Sequence, residues 1–174
     1  MSKVIVSDAS TLILLQKIAL LDKLVKNFNF IIPPEIYNEA VIKGKDVKSK
    51  DAYLIEDKVK NKLIKVKEIN DKRKVAEIIN EFGLAEGESE AIILFLQEKA
   101  DNLATDDHKA INVCKIYKIP FVTALTFVIE AHEMKIINRN AAMDLIKNLG
   151  VYGRYKDELI YKALNYIGEE KWLN

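Results

Sequence analysis

The sequence predicts an α/β fold: a three-layer α/β/α sandwich around a central, mainly parallel sheet. Two observations carry this. Short apolar or β-branched runs recur along the chain, at Val4-Ile5-Val6, Phe30-Ile31-Ile32, Leu63-Ile64-Lys65-Val66, Leu103-Ala104-Thr105 and Phe121-Val122-Thr123. Stretches of helical length separate them, an alternation that needs crossover helices on both faces of a parallel sheet. At 174 residues, 49% of them hydrophobic, the chain suits one domain, 1–174, with a sizeable core.

Each element has a local reason. Val4-Ile5-Val6 reads as a buried first strand, ended by Ser7-Asp8-Ala9-Ser10, whose side chains can cap a helix. An apolar helical stretch follows from Thr11 to about Lys26. Phe30-Ile31-Ile32 is a second strand stopped by Pro33-Pro34, and proline suits a helix start, so Glu35 to about Ile42 is read as helix. Asp51 to Lys60 is helix, Leu63 to Val66 strand, and Arg73 to Phe82 helix. Gly83 and Gly87 flank a turn, and Glu88 to Lys99 is strongly helical. Leu103-Ala104-Thr105 is a short strand ending at Asp106-Asp107; His108 to Tyr117 is helix and Phe121-Val122-Thr123 strand. From about Leu125 the chain reads as helices separated near Asn138 and near Tyr152-Gly153.

Composition excludes several classes. Cys114 is the single cysteine, so no internal disulfide forms and no Cys/His cluster holds zinc. It is expected as a small buried residue on the helix after Asp107, in a protein of the reducing cytoplasm. No apolar run approaches the ~20 residues of a membrane span, and the N-terminal segment lacks the features of a signal peptide. The net charge of +1 argues for no partner. Neither GxxxxGK[ST] nor GxGxxG is present, which weakens a nucleotide-binding reading.

The acids are more informative. Functional groups of an open parallel sheet collect at the carboxyl ends of strands. Asp8 sits just past the first strand, and Asp106 and Asp107 just past a later one. One such aspartate is commonly a helix cap; two sites in one sheet point further. Glu39 lies on the helix after Pro33-Pro34, facing either solvent or the cleft. Glu86, Glu88 and Glu90 surround the start of the next long helix, where acids complement the helix dipole. Glu88 shares helical spacing with Ala91, Ile92 and Phe95, an inward apolar stripe, and an acid there wants a counter-charge. Converging carboxylates suit hard cations such as Mg²⁺ or Mn²⁺, which prefer oxygen ligands. With only two histidines, His108 and His132, a histidine-rich zinc site is not expected. His108 is read as a surface or helix-start residue.

Four blocks in order carry a resemblance. They are Val4-Ile5-Val6-Ser7-Asp8-Ala9-Ser10-Thr11-Leu12-Ile13, Ile32-Pro33-Pro34-Glu35-Ile36-Tyr37-Asn38-Glu39-Ala40, Gly87-Glu88-Ser89-Glu90-Ala91-Ile92 and Leu103-Ala104-Thr105-Asp106-Asp107. Together they resemble the PIN-domain family over about residues 3–135, leaving 136–174 as a helical C-terminal part. The third block looks like a subgroup related to the VapC toxins. Thr105 to Asn112 looks like PIN endonucleases of ribosomal-RNA maturation. The resemblance implies a homodimer-prone, Mg²⁺- or Mn²⁺-dependent endoribonuclease. By position its acids are Asp8, Glu39, Glu88 and Asp106, with Ser10 and Thr105 in support. Glu90 competes with Glu88, and Asp107 with Asp106, because relatives differ in spacing at both places. A Glu at either 88 or 90 replaces a commoner Asp and makes a longer, looser ligand.

RNA is the substrate the resemblance implies, with a toxin paired to a small antitoxin protein or RNA processing as the setting. Residues 43–74 carry 12 Lys and Arg against 6 Asp and Glu. That basic stretch, for instance Lys45, Lys48 and Lys50, either contacts phosphates or is a solvated surface. Tyr152, Tyr155, Tyr161 and Tyr166 are expected in packing or dimer contacts rather than base stacking. The alternative function is a catalytically inactive PIN-fold module that binds nucleic acid or protein.

Overall fold

The computed structural model describes residues 2–169; residues 170–174 of the expected helical C-terminal part lie outside them. Five strands form one all-parallel sheet: β1 (Val4–Ser7), β2 (Asn29–Ile32), β3 (Ile64–Val66), β4 (Asn102–Ala104) and β5 (Phe121–Val122). Their order is β3-β2-β1-β4-β5. The chain winds outward from β1 to one edge, then returns to start the other side with β4. The carboxyl ends of β1 and β4 therefore flank the switch point of the sheet, where crevices open in such folds.

Strand alternation sends successive side chains to two separate cores. Ile5, Phe30, Ile32 and Ala104 join the helices α1 (Ala9–Lys17), α2 (Leu21–Leu24), α5 (Lys50–Lys60), α9 (Ala124–Glu133), α10 (Arg139–Tyr152) and α11 (Asp157–Glu169). Val6, Ile31 and Leu103 join α6 (Lys72–Phe82), α7 (Glu86–Glu98) and α8 (His108–Tyr117). The three-layer α/β/α sandwich expected from the alternation is the observed architecture.

Three expectations need correction. The stretch from Thr11 to Lys26 is two helices. Ala19 turns left-handed, with φ of 59°, and the break lets Leu20, Leu21 and Leu24 all bury completely. A straight helix would keep part of that apolar run in water, so tertiary burial overrides helical periodicity.

The helix after Pro33-Pro34 runs beyond Ile42. It comprises α3 (Pro34–Tyr37), a π-helical segment (Asn38–Lys43) and α4 (Gly44–Asp46). The wider π turn buries Ala40 and Val41 and holds Glu39 at the edge, against Gly87.

Finally, Gly87 flanks no turn. It is the second residue of α7, which begins at Glu86. A Cβ on Gly87 would lie 2.8 Å from Ile36 Cδ1 and 2.9 Å from Glu39 Oε1. A Cβ there would press on the ends of the Ile36 and Glu39 side chains, which would have to shift. Gly87→Ala is expected to lower stability by no more than about 1–2 kcal/mol, because overpacking of Ile36 and Glu39 is offset by about 1 kcal/mol of helix propensity; a loss above about 3 kcal/mol in a urea melt would contradict it.

Candidate metal centre

Asp8 N–H donates to Ala104 O at 2.9 Å, so the ends of β1 and β4 are tied together where the acids emerge. The Asp8 side chain caps α1: Oδ1 accepts from Thr11 N at 2.7 Å and from Ser10 Oγ at 3.2 Å. The residue is 3% exposed, and its other oxygen, Oδ2, is buried with no hydrogen-bond partner. Burial pushes the Asp8 pKa up to about 6. The Thr105 hydroxyl and the Thr11 amide and side chain pull it down, and the charge of Asp106 adds to the rise. A buried carboxylate oxygen without a donor carries a desolvation penalty of about 1–3 kcal/mol or more.

Asp106 is the opposite case. Its Oδ2 accepts from Thr11 Oγ1 at 2.9 Å and from Ala124 N at 3.0 Å, and its Oδ1 accepts from the Tyr155 hydroxyl. The donors come from α1, from the first turn of α9 and from the loop before α11. Asp107 caps its own helix, α8, with Oδ1 accepting from Lys109 N at 2.7 Å and Ala110 N at 2.9 Å. Its amide donates to Thr105 Oγ1 at 3.2 Å.

The two glutamates in question on α7 point to different neighbours. Two helical residues apart is about 200° around the axis. Glu88, half-buried, has a pKa raised by burial and then by the charges of Asp107, Asp8 and Glu39; its hydrogen bond from Ala85 N, at 3.1 Å, opposes the rise. Glu90 is buried and accepts from Glu35 N at 3.0 Å, satisfying an amide of the first turn of α3. Its pKa is also raised, chiefly by burial. Glu39 rises by burial and by the charges of Glu35, Glu86 and Glu90, against the pull of Lys43. Glu88 thus feels the charges of Asp107, Asp8 and Glu39, Asp8 that of Asp106, and Glu39 that of Glu90. Glu90 faces α3 instead.

None of these acids forms an ion pair among the described residues. The donor types fit a hard divalent cation: all are oxygens, one is an orphaned buried carboxylate oxygen, and neighbouring negative charges add to the raised pKa of Asp8, Glu39 and Glu88. Among the described residues no three Asp, Glu, His or Cys side chains converge closely enough to share one ion. Each has its own partners. Glu88 is folded back onto Ala85 N, Asp107 Oδ1 onto α8, and Asp106 is held by three donors.

Other sequence expectations resolve simply. Cys114 is buried, and burial pushes its thiol up to about 11, which leaves it unreactive at neutral pH. His108 is exposed at the start of α8. Within the basic stretch, six of the 12 cations sit in ion pairs among the described residues: Lys43, Lys45, Lys58, Lys60, Lys67 and Arg73. Lys45 pairs with Glu56, whereas Lys48 and Lys50 are exposed. The basic excess is therefore spent partly on internal pairing.

Sequence reasoning passed over two residues that meet the acids. Thr11 bonds both Asp8 and Asp106, and its place one helical turn after Asp8 was a usable signal. Tyr155, expected in packing or dimer contacts, reaches Asp106 across 49 positions with no local signal.

Fold and site together define an α/β protein with acids at the switch point of a parallel sheet. A family model described as a PIN domain matches residues 4–169, and the chain belongs to the PIN-domain family. The match includes α10 and α11. Proteins of this family are in general nucleases, act on nucleic acid and typically use divalent metal ions. No curated protein matches the chain significantly. Among the described residues, no helix is long and apolar enough to cross a membrane.

Proposed function

We propose that this protein is a Mg²⁺- or Mn²⁺-dependent endoribonuclease that hydrolyses RNA phosphodiester bonds. The observation that carries the reading is Asp8 Oδ2, a buried carboxylate oxygen with no donor, set among other acids at the sheet's switch point. Asp8, Glu39, Glu88 and Asp106 would hold the ion, with Asp107 beside them and Ser10 and Thr105 supporting the two aspartates. When bound, the ion supplies an activated water and compensates charge developing on the phosphodiester. The chain's own part is to fix Asp8 through Thr11 and Ser10 and to keep cationic side chains out of direct contact with the acids. A toxin neutralised by a small antitoxin protein and an RNA-processing enzyme are two settings for this activity; a cytoplasmic homodimer suits both. Exposed lysines such as Lys48 and Lys50 are available to RNA phosphates.

The test is cleavage of labelled RNA by purified protein with Mn²⁺ and with EDTA. Activity that survives EDTA sinks the metal reading. The two α7 glutamates separate by calorimetry. Glu88→Gln is expected to weaken Mn²⁺ binding at least tenfold. Glu90→Gln should leave binding within about twofold, since the amide oxygen still serves Glu35 N. The reverse ranking would reassign the ligand.

A second reading, a PIN-fold binding module without turnover, is favoured by the lack of convergence among three acids. Manganese titration decides between them: no binding heat supports the module.

A further inference from the structure

Tyr155 lies in the short loop between α10 and α11, far from the acids in sequence, yet its hydroxyl donates to Asp106 Oδ1. The same hydroxyl accepts from Leu125 N at 3.1 Å. The first turn of α9 is then fully matched: Ala124 N donates to Asp106 Oδ2, Leu125 N to Tyr155, and Thr126 N to Thr123 Oγ1. An amide that donates to a hydroxyl strengthens that hydroxyl as a donor in turn, so Leu125, Tyr155 and Asp106 form a polarised chain.

The ring is seated as firmly as the hydroxyl. Tyr155 packs on the core shared by α9, α10 and α11. It also lies on the bare backbone of Gly153, where an added Cβ would meet Tyr155 Cδ2 at 2.8 Å.

A carboxylate has roughly four acceptor directions. Thr11 Oγ1 and Ala124 N take both on Oδ2, and Tyr155 takes one on Oδ1. One direction, on Oδ1, is left. We propose that Tyr155 is a positioning residue of the cation site: it orients Asp106 so that a single Oδ1 direction remains for a divalent ion. The inference rests on the reading of these acids as a cation site. It gives the C-terminal helical pair a function, since the loop joining α10 to α11 carries the group that aims a ligand.

The test is Tyr155→Phe in the full chain, with Mn²⁺ as the probe and calorimetry as the readout. Loss of the hydroxyl should weaken Mn²⁺ binding about 10–100-fold, as loss of a partner to a ligand does. Circular dichroism should stay that of the wild type. The effect should vanish in an Asp106→Asn background, because a residue acting through Asp106 has nothing further to lose there. A folded Tyr155→Phe protein with wild-type Mn²⁺ affinity overturns the proposal. So does an equal loss with and without Asp106. A wild type that binds no Mn²⁺ overturns it too, but through failure of the cation reading itself, which the wild-type titration alone reveals.

Discussion

Asp8→Asn is expected to abolish Mn²⁺-dependent RNA cleavage and, in EDTA at pH 7.5, to raise the melting temperature. The two effects share one cause. Burial holds the Asp8 pKa at about 6 in the folded state, against the ordinary 3.8. Below pH about 4 both folded and unfolded chains carry the proton, and the residue costs nothing. Between about pH 4 and 6 the folded state keeps a proton the unfolded state has released, so stability falls as pH rises. Above that range the whole cost is present, about 3 kcal/mol for a shift of this size.

Asparagine removes the charge and keeps an oxygen to cap Thr11 N. The gain is therefore up to about 3 kcal/mol at pH 7.5, or roughly 6–10 °C for a domain of this length. It should disappear by pH 4. Mn²⁺ should reverse the ranking, stabilising the wild type and leaving the variant unmoved. Equal melting temperatures in EDTA at pH 7.5 would contradict the electrostatic argument, and cleavage by folded, nuclease-free Asp8→Asn protein would sink the functional one.

Asp106→Ala should act with the opposite sign. The substitution strands Thr11 Oγ1, Ala124 N and the Tyr155 hydroxyl together. Each unsatisfied group costs about 1–3 kcal/mol, less where water enters. A net loss of about 3–4 kcal/mol is expected from urea unfolding in EDTA, along with loosening of the α9 N-terminus in hydrogen exchange at Leu125. A loss under about 1 kcal/mol would show that water replaces the carboxylate freely. Two aspartates at the ends of adjacent strands thus differ in kind: one is strained by burial, the other anchors three elements.

That difference was not legible in the residues themselves. Asp8 and Asp106 look alike in the sequence, each following a short apolar strand. Their positions could be read because strand ends in a parallel sheet share one edge. Their environments could not, because Oδ2 of Asp8 is orphaned and Asp106 is held by three donors from distant segments. Glu88 and Glu90 illustrate the same limit. Their order along the chain is plain, but which neighbours each one meets depends on how α7 packs against the rest of the fold. With α7 beginning at Glu86, Glu88 accepts from Ala85 N and Glu90 from Glu35 N.

By itself the sequence determined the alternation of strands and helices, the parallel sheet and the acids at its carboxyl edge. These follow from local periodicity, proline stops and the polarity of residues just past each strand, all short-range properties. Tertiary structure decided the rest. Complete burial of Leu20, Leu21 and Leu24 broke the first helix at Ala19, and a π turn set Glu39 against Gly87. Tyr155 was brought to Asp106 from a loop no pattern marks. Such contacts depend on packing between elements remote in sequence, and neither hydrophobic period nor residue spacing carries that information.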